Sequence, residues 1–219
     1  MLKLEDFIYY EEKDPDITLY HGSCLDIMPL LNPVDLIVTD PPYGIDLEYN
    51  TYEDTPENWY KLMDAWIPLT KMATMTIFPC CRIKSLDYFY KAERAGRIPD
   101  WIIAWYKGSP GHRAYVGFND WEPLLVYGKT KGTQMHDYFY CQPETADNGH
   151  PCPKSVDWAK WLIHRTTKEG DTVLDSFCGS GTTLVAAKEM KRRAVGIEMD
   201  KTYCEIIKKR MRNTTVPFL

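Results

Sequence analysis

The sequence predicts an α/β fold in which helices cover both faces of a largely parallel β-sheet, and three observations carry that reading. Short apolar, β-branched runs bounded by turn residues recur seven times. Segments of helical period lie between several of them, the alternation that a parallel sheet requires. The composition, 44% hydrophobic and 26% charged over 219 residues, is that of a soluble globular domain.

In chain order, the first two runs span 17–20 and 35–39. A helical segment at 56–72 follows, and Pro68 should end or kink it because proline has no amide to donate. Three more runs come at 73–78, 101–106 and 123–127. The segment at 155–168 has helical period, with Val156, Ala159, Trp161, Leu162 and Ile163. The run at 172–177 leads into a helical segment at 180–192 that places Leu184, Ala187 and Met190 on one face. A last run at 194–198 precedes a helix at 200–212, where Tyr203, Ile206, Ile207 and Met211 group together and Asp200 suits the N-cap. The stretches 107–121 and 133–154 mix Gly, Pro, bases and aromatics and read as loops.

Charge is unevenly spread. Residues 1–64 hold 15 acids and 3 bases, whereas residues 65–219 hold 16 acids and 23 bases. Between Arg82 and Lys131 there are nine bases and five acids, so part of the surface can face a polyanion despite the overall charge of −5. The acid-rich start is the reverse of a signal or transit peptide, and no apolar run approaches the ~18 residues of a membrane span. A cytoplasmic protein with no membrane partner is expected. The seven cysteines include no Cys-x-x-Cys pair, so reduced, mostly buried thiols and no metal site are expected.

Two motifs carry chemistry. The run ending at Phe177 passes through Cys178-Gly179-Ser180-Gly181 into a helix, which aims backbone N–H groups and a positive helix end at a ligand. Glu198 ends the next strand 19 residues beyond Gly179, close to the interval at which an acid reaches ribose hydroxyls. A dinucleotide fingerprint wants glycine where Leu184 stands, so a nucleoside cofactor without phosphates fits better than a nicotinamide dinucleotide. S-adenosylmethionine is the common one. An ordinary strand-to-helix turn is the plainer alternative, but it leaves Glu198 unexplained.

The second motif is Asp40-Pro41-Pro42-Tyr43, directly after a strand. Each proline fixes its own φ, and each residue before a proline is pushed to extended geometry. A stiff corner of acceptors followed by an aromatic ring suits methylation of an exocyclic nucleobase amine. The Asp40 carboxylate and Pro41 carbonyl can take the two amine hydrogens and stabilise the developing positive charge. Tyr43 can stack on the base.

On these residues the chain resembles the beta class of S-adenosylmethionine-dependent DNA amino-methyltransferases. The resemblance covers most of 17–212. It is most specific at His150-Pro-x-Pro-Lys154, at the run from Gly170 to Thr183, and at Gly196-Ile-Glu198 with Tyr203 and Arg210. It implies a class I methyltransferase fold, a Rossmann-like mixed, mostly parallel seven-stranded sheet with helices on both sides. It also implies a cofactor set of Lys154, Asp175, Phe177, Cys178, Gly179, Ser180, Gly181 and Glu198, with Lys154 near the methionine carboxylate. Ser155 departs from the proline usual after that lysine, and Gly22-Ser23 departs from a Gly-Asp, which leaves Asp26 as a guess for the cofactor's adenine.

The expected organisation is one methyltransferase domain over 1–219 with a small embedded recognition region at about 107–150. Its substrate is a flipped-out base in double-stranded DNA. Lys107, His112 and Arg113 are the candidate DNA contacts, with Trp105, Tyr115 and Phe118 interleaved. Residues 46–58 are expected to form a lid or an ordinary surface loop. The resemblance implies adenine N6 as the target, since in that family Asp at the first motif position is commoner with adenine, and cytosine N4 stays open. An RNA base methyltransferase usually carries its glycine turn upstream, whereas here it lies 139 residues after Asp40. A catalytically silent DNA-binding module and a homodimer also stay open.

Overall fold

The structure is a computed structural model that describes residues 2–80, 83–91, 93, 96–108, 117, 120–129, 136–143 and 154–216. The strands are β1 (Ile8–Lys13), β2 (Asp16–His21), β3 (Val34–Val38), β4 (Ala73–Pro79), β5 (Trp101–Tyr106), β6 (Trp121–Gly128), β7 (Tyr138–Tyr140), β8 (Thr172–Asp175) and β9 (Arg193–Glu198). They form one sheet in the order β1-β2-β9-β8-β3-β4-β6-β5-β7. All seven predicted runs are strands, and the expected seven-stranded sheet is corrected to nine. β1 folds back antiparallel on β2, and β7 adds parallel to β5 inside a stretch read as loop. From β2 to β4 the neighbours are parallel; β6 runs antiparallel to both β4 and β5.

The helices are α1 (Cys24–Ile27), α2 (Pro56–Leu69), α3 (Ile83–Tyr90), α4 (Val156–Thr166), α5 (Thr182–Glu189) and α6 (Lys201–Asn213). Strand alternation divides the core into two layers. On β3, Leu36 and Val38 join the cluster under α4, α5 and α6, while Ile37 joins the cluster under α1, α2 and α3. Helix α2 starts on a Thr55 cap with Pro56 in its first turn and buries Trp59, Met63, Trp66 and Ile67 along one stripe. Pro68 lies in its last turn, and a 3₁₀ turn over Thr70–Met72 ends it. Ser155 caps α4 by accepting the Trp158 N–H at 3.2 Å. Asp200 caps α6 as expected. Cys24, Cys80, Cys178 and Cys204 are buried free thiols.

The site follows from the strand order. After β3 the chain crosses to β4 on one side; after β8 it crosses to β9 on the other. The carboxyl ends of β3 and β8 therefore flank a topological switch point, where open α/β sheets leave a ligand crevice. Among the described residues no helix is long and apolar enough to cross a membrane.

Candidate active site

Both motifs meet at this crevice. The buried Thr39 hydroxyl joins the ends of β3 and β8. It donates to Asp175 Oδ1 at 2.6 Å and accepts the Phe177 N–H at 3.1 Å. The Phe177 N–H also reaches Asp175 Oδ1 at 3.1 Å, so the chain turns off β8 at Ser176, two residues before the predicted run ends. The indole N–H of Trp66 holds Ser176 Oγ at 3.0 Å. Burial pushes the Asp175 carboxyl up to about 6, with the Thr39 and Thr183 hydroxyls holding it back from rising further.

The glycine turn is closed by the Gly181 N–H donating to Cys178 O at 2.8 Å. Gly181 has φ +83°, and a Cβ there would lie 2.9 Å from Ile207 of α6, so only glycine fits. This delays α5 to Thr182, two residues after the predicted start. Arg210 of α6 holds the turn from behind, donating to Ser180 O at 2.8 Å and Ser180 Oγ at 3.1 Å. Glu198 Oε2 accepts the Gly179 N–H at 2.7 Å, and Oε1 accepts the Asp200 N–H at 2.7 Å. Among the described residues no cation pairs with Glu198. Burial drives its carboxyl up to about 7 against the pull of those two amides.

The Asp40 corner is held differently. Tyr43 donates its hydroxyl to Asp40 Oδ1, and Lys154 Nζ lies 2.5 Å from Asp40 Oδ2 and 2.9 Å from the Tyr43 oxygen. The Lys154 side chain is almost fully buried, over the rings of Tyr43 and Trp105.

An open cleft has Asp40, Pro42, Tyr43, Phe177, Gly179 and Glu198 in its wall. Ser23, Cys24, Asn50, Ile197, Met199 and Tyr203 complete much of it. The exposed Asp26 does not line it; Ser23 and Cys24, at the start of α1, do. A second recess of about 380 Å³ shares Asp40, Phe177 and Gly179 and adds Lys154, Trp158, Asp175, Cys178, Ser180, Thr182 and Thr183. The Trp158 indole N–H is buried and has no hydrogen-bond partner among the described residues. The 46–58 stretch covers the larger cleft with Tyr49, Asn50, Thr51 and Tyr52. Asp54, buried, organises it by accepting the N–H groups of Gly44, Ile45 and Leu47, and Asn50 donates to Asp200 Oδ2 at 2.7 Å.

Of the candidate DNA contacts, Lys107 is paired with Glu122 at 2.8 Å, both side chains mostly buried. Trp105 belongs to the core, against Trp158, with its indole N–H on Cys141 O. His112, Arg113, Tyr115 and Phe118 lie outside the described residues, as do His150, Pro151 and Pro153. Sequence reasoning placed a lid or surface loop at 46–58, which includes the 49–52 wall, and missed Trp158, whose helical period marked it only as part of a helix.

The glycine turn and the Asp-Pro-Pro-Tyr corner share one crevice, the arrangement expected of an amino-methyltransferase. The comparisons name its family: the model described as DNA methylase, of the N6/N4 group, matches residues 34–209. The chain belongs to that family and is an S-adenosylmethionine-dependent DNA amino-methyltransferase. It is 45% identical to the type II methyltransferase M2.LlaDCHI of Lactococcus lactis subsp. cremoris, over 93% of this chain and 91% of that one. The crystal structure of an M1.HpyAVI–SAM complex is similar at 26% identity with a TM-score of 0.67, covering 89% of this chain and 98% of that one. The cytosine-N4-specific PvuII DNA methyltransferase shares the fold at 15% identity, with a TM-score of 0.69 over 89% and 86% of the two chains.

Proposed function

We propose that this enzyme methylates adenine N6 in double-stranded DNA, through the residues gathered at the β3/β8 crevice. The observation that carries the reading is that Asp40 and Gly179, 139 residues apart, line the same cleft. The residues fit the cofactor. Each Glu198 oxygen takes one backbone N–H and keeps acceptor capacity for ribose hydroxyls. Phe177, Ile197 and Met199 offer apolar wall to a purine. Lys154, the Trp158 N–H, Ser180 and the first turn of α5 offer donors to a carboxylate in the second recess. Asp175 and Cys178 act from underneath, shaping the turn that Gly179 and Gly181 let a ligand approach.

S-adenosylmethionine supplies an activated methyl group. Asp40 and the Pro41 carbonyl receive the two hydrogens of the target amine, draw its nitrogen toward tetrahedral geometry and offset the charge that develops there. Pro42 keeps the corner extended. Tyr43 stacks on the base for roughly 1–3 kcal/mol, which offsets much of the few kcal/mol that extrusion costs. The preference for adenine rests on Asp at the first motif position; cytosine N4 is the alternative outcome.

The whole chain acts as one domain with its recognition region at about 107–150. Because Lys107 is already committed to Glu122, DNA contact there rests on His112 and Arg113. Arg113→Ala is expected to weaken DNA binding and to lower the slope of log affinity against log salt by about 1. The reading is tested by incubating the enzyme with labelled cofactor and mixed-sequence duplex DNA, then mapping modification at base resolution. N6-methyladenine in a fixed context is expected. N4-methylcytosine would replace adenine by the alternative, and label on RNA alone would overturn the substrate.

A further inference from the structure

Lys154 stands between the two recesses. Its ammonium is bound to Asp40 and Tyr43 on one side, and its residue lines the second recess on the other. With Tyr43 on Oδ1 and Lys154 on Oδ2, both oxygens of the carboxylate proposed to receive the target amine are engaged. Their spare lone pairs still allow hydrogen bonds. Charge is the larger obstacle, because an ammonium beside Asp40 opposes the positive charge that the amine must develop. On its other side, the recess is lined by Trp158, whose buried indole N–H has no hydrogen-bond partner among the described residues, and by Ser180, Thr182 and Thr183 at the turn into α5. A buried donor without a partner is costly, so an anion entering here is favoured. The same anion would draw the ammonium, and a buried cation passing from one carboxylate to another is never left unpaired.

We infer that Lys154 is a positioning residue that couples the two substrates: the carboxylate of the cofactor's amino-acid end takes Lys154 from Asp40, and Asp40 is thereby freed for the target amine. The inference rests on the proposed roles of Asp40 and the second recess. It makes the cofactor's carboxylate, and not its nucleoside, the signal that opens the base site. Linkage requires the coupling to be reciprocal, so captured DNA tightens the cofactor by the same factor.

The test uses a duplex holding the mapped site with 2-aminopurine in place of the methylated adenine, whose fluorescence rises when the base leaves the stack. Two probes are applied at saturation: S-adenosylhomocysteine, which has the amino-acid end, and 5′-methylthioadenosine, which lacks it. With the native enzyme, S-adenosylhomocysteine is expected to tighten base capture at least about fivefold, the lower end of ordinary coupling between sites. Methylthioadenosine should leave capture within about twofold of the unliganded enzyme. In Lys154→Met, capture should become independent of either probe, with circular dichroism confirming the fold. The coupling is overturned if methylthioadenosine serves the native enzyme as well as S-adenosylhomocysteine, or if Lys154→Met keeps the dependence. Failure of the underlying reading has its own signature: Asp40→Asn would then leave the native fluorescence response unchanged.

Discussion

Asp40 and Glu198 face one cleft from the ends of parallel strands, yet they are held in opposite ways. Asp40 is bound by a lysine reached across the fold and by the tyrosine hydroxyl of its own corner. Among the described residues, the Glu198 carboxylate is bound by main-chain amides of the turns it helps to shape. A carboxylate paired with a side-chain cation responds to whatever competes for that cation. One buried against amides responds to protons, since nothing of opposite charge offsets its loss of solvation. The contrast teaches that two acids with similar surroundings in the sequence can be given different sensitivities by their partners alone.

Asp40→Ala should break the contrast most severely. Methyl transfer is expected to fall by roughly 10³-fold, the order seen when a preorganised group facing developing charge is lost, while equilibrium dialysis shows the cofactor bound at least as tightly, since Asp40 no longer competes for Lys154. Glu198→Ala strikes the other side. Lost hydrogen bonds to a charged group weaken binding by roughly 10- to 100-fold, so the cofactor dissociation constant should rise by that factor.

The proton response sharpens the comparison. Because burial lifts the Glu198 carboxyl to about 7, it is mostly ionised at pH 8 and mostly protonated at pH 6. Cofactor affinity should drop by up to about tenfold across that interval, and calorimetry on Glu198→Gln should show a flat profile. Stability follows the same groups with a definite sign. Folded Glu198 and Asp175 hold protons more tightly than the unfolded chain does, so their contribution falls as pH rises from about 4 toward about 7. Thermal midpoints should decline over that range, and less so in Glu198→Gln. The smallest effect belongs to the cover. Asn50→Ala removes a single tether to Asp200, and stopped-flow release of the cofactor should quicken about two- to fivefold.

What the sequence revealed was whatever is contiguous in it. The runs that became β3, β8 and β9 have centres buried on both faces and so apolar there, which makes them visible without a partner. β1 was hidden because Ile8–Lys13 carries three charges and buries no residue fully; it exists by pairing with β2. β7 is three residues with only Phe139 buried, drawn into the sheet by β5 and by stacking on Trp161. The glycine turn and the Asp-Pro-Pro-Tyr corner were legible because each motif prescribes its own backbone. The Lys154–Asp40 pair joins residues 114 apart, and no local pattern encodes such a meeting. The same holds for Lys107, whose charge marked it as a surface base until the register of β5 against β6 set it beside Glu122.

β3 and β8 are hydrogen-bonded neighbours about 4.8 Å apart in the ladder direction, so the segments bearing Asp40 and Gly179 leave the sheet side by side. That spacing is the scale on which a single small group passes from hand to hand. The ruler is main-chain geometry, clasped by the Thr39 hydroxyl, and no exchange of surface residues can stretch it. Evolution of such an enzyme toward new target sites is thereby channelled into the segments beyond the strands, while the handover distance stays where the sheet put it.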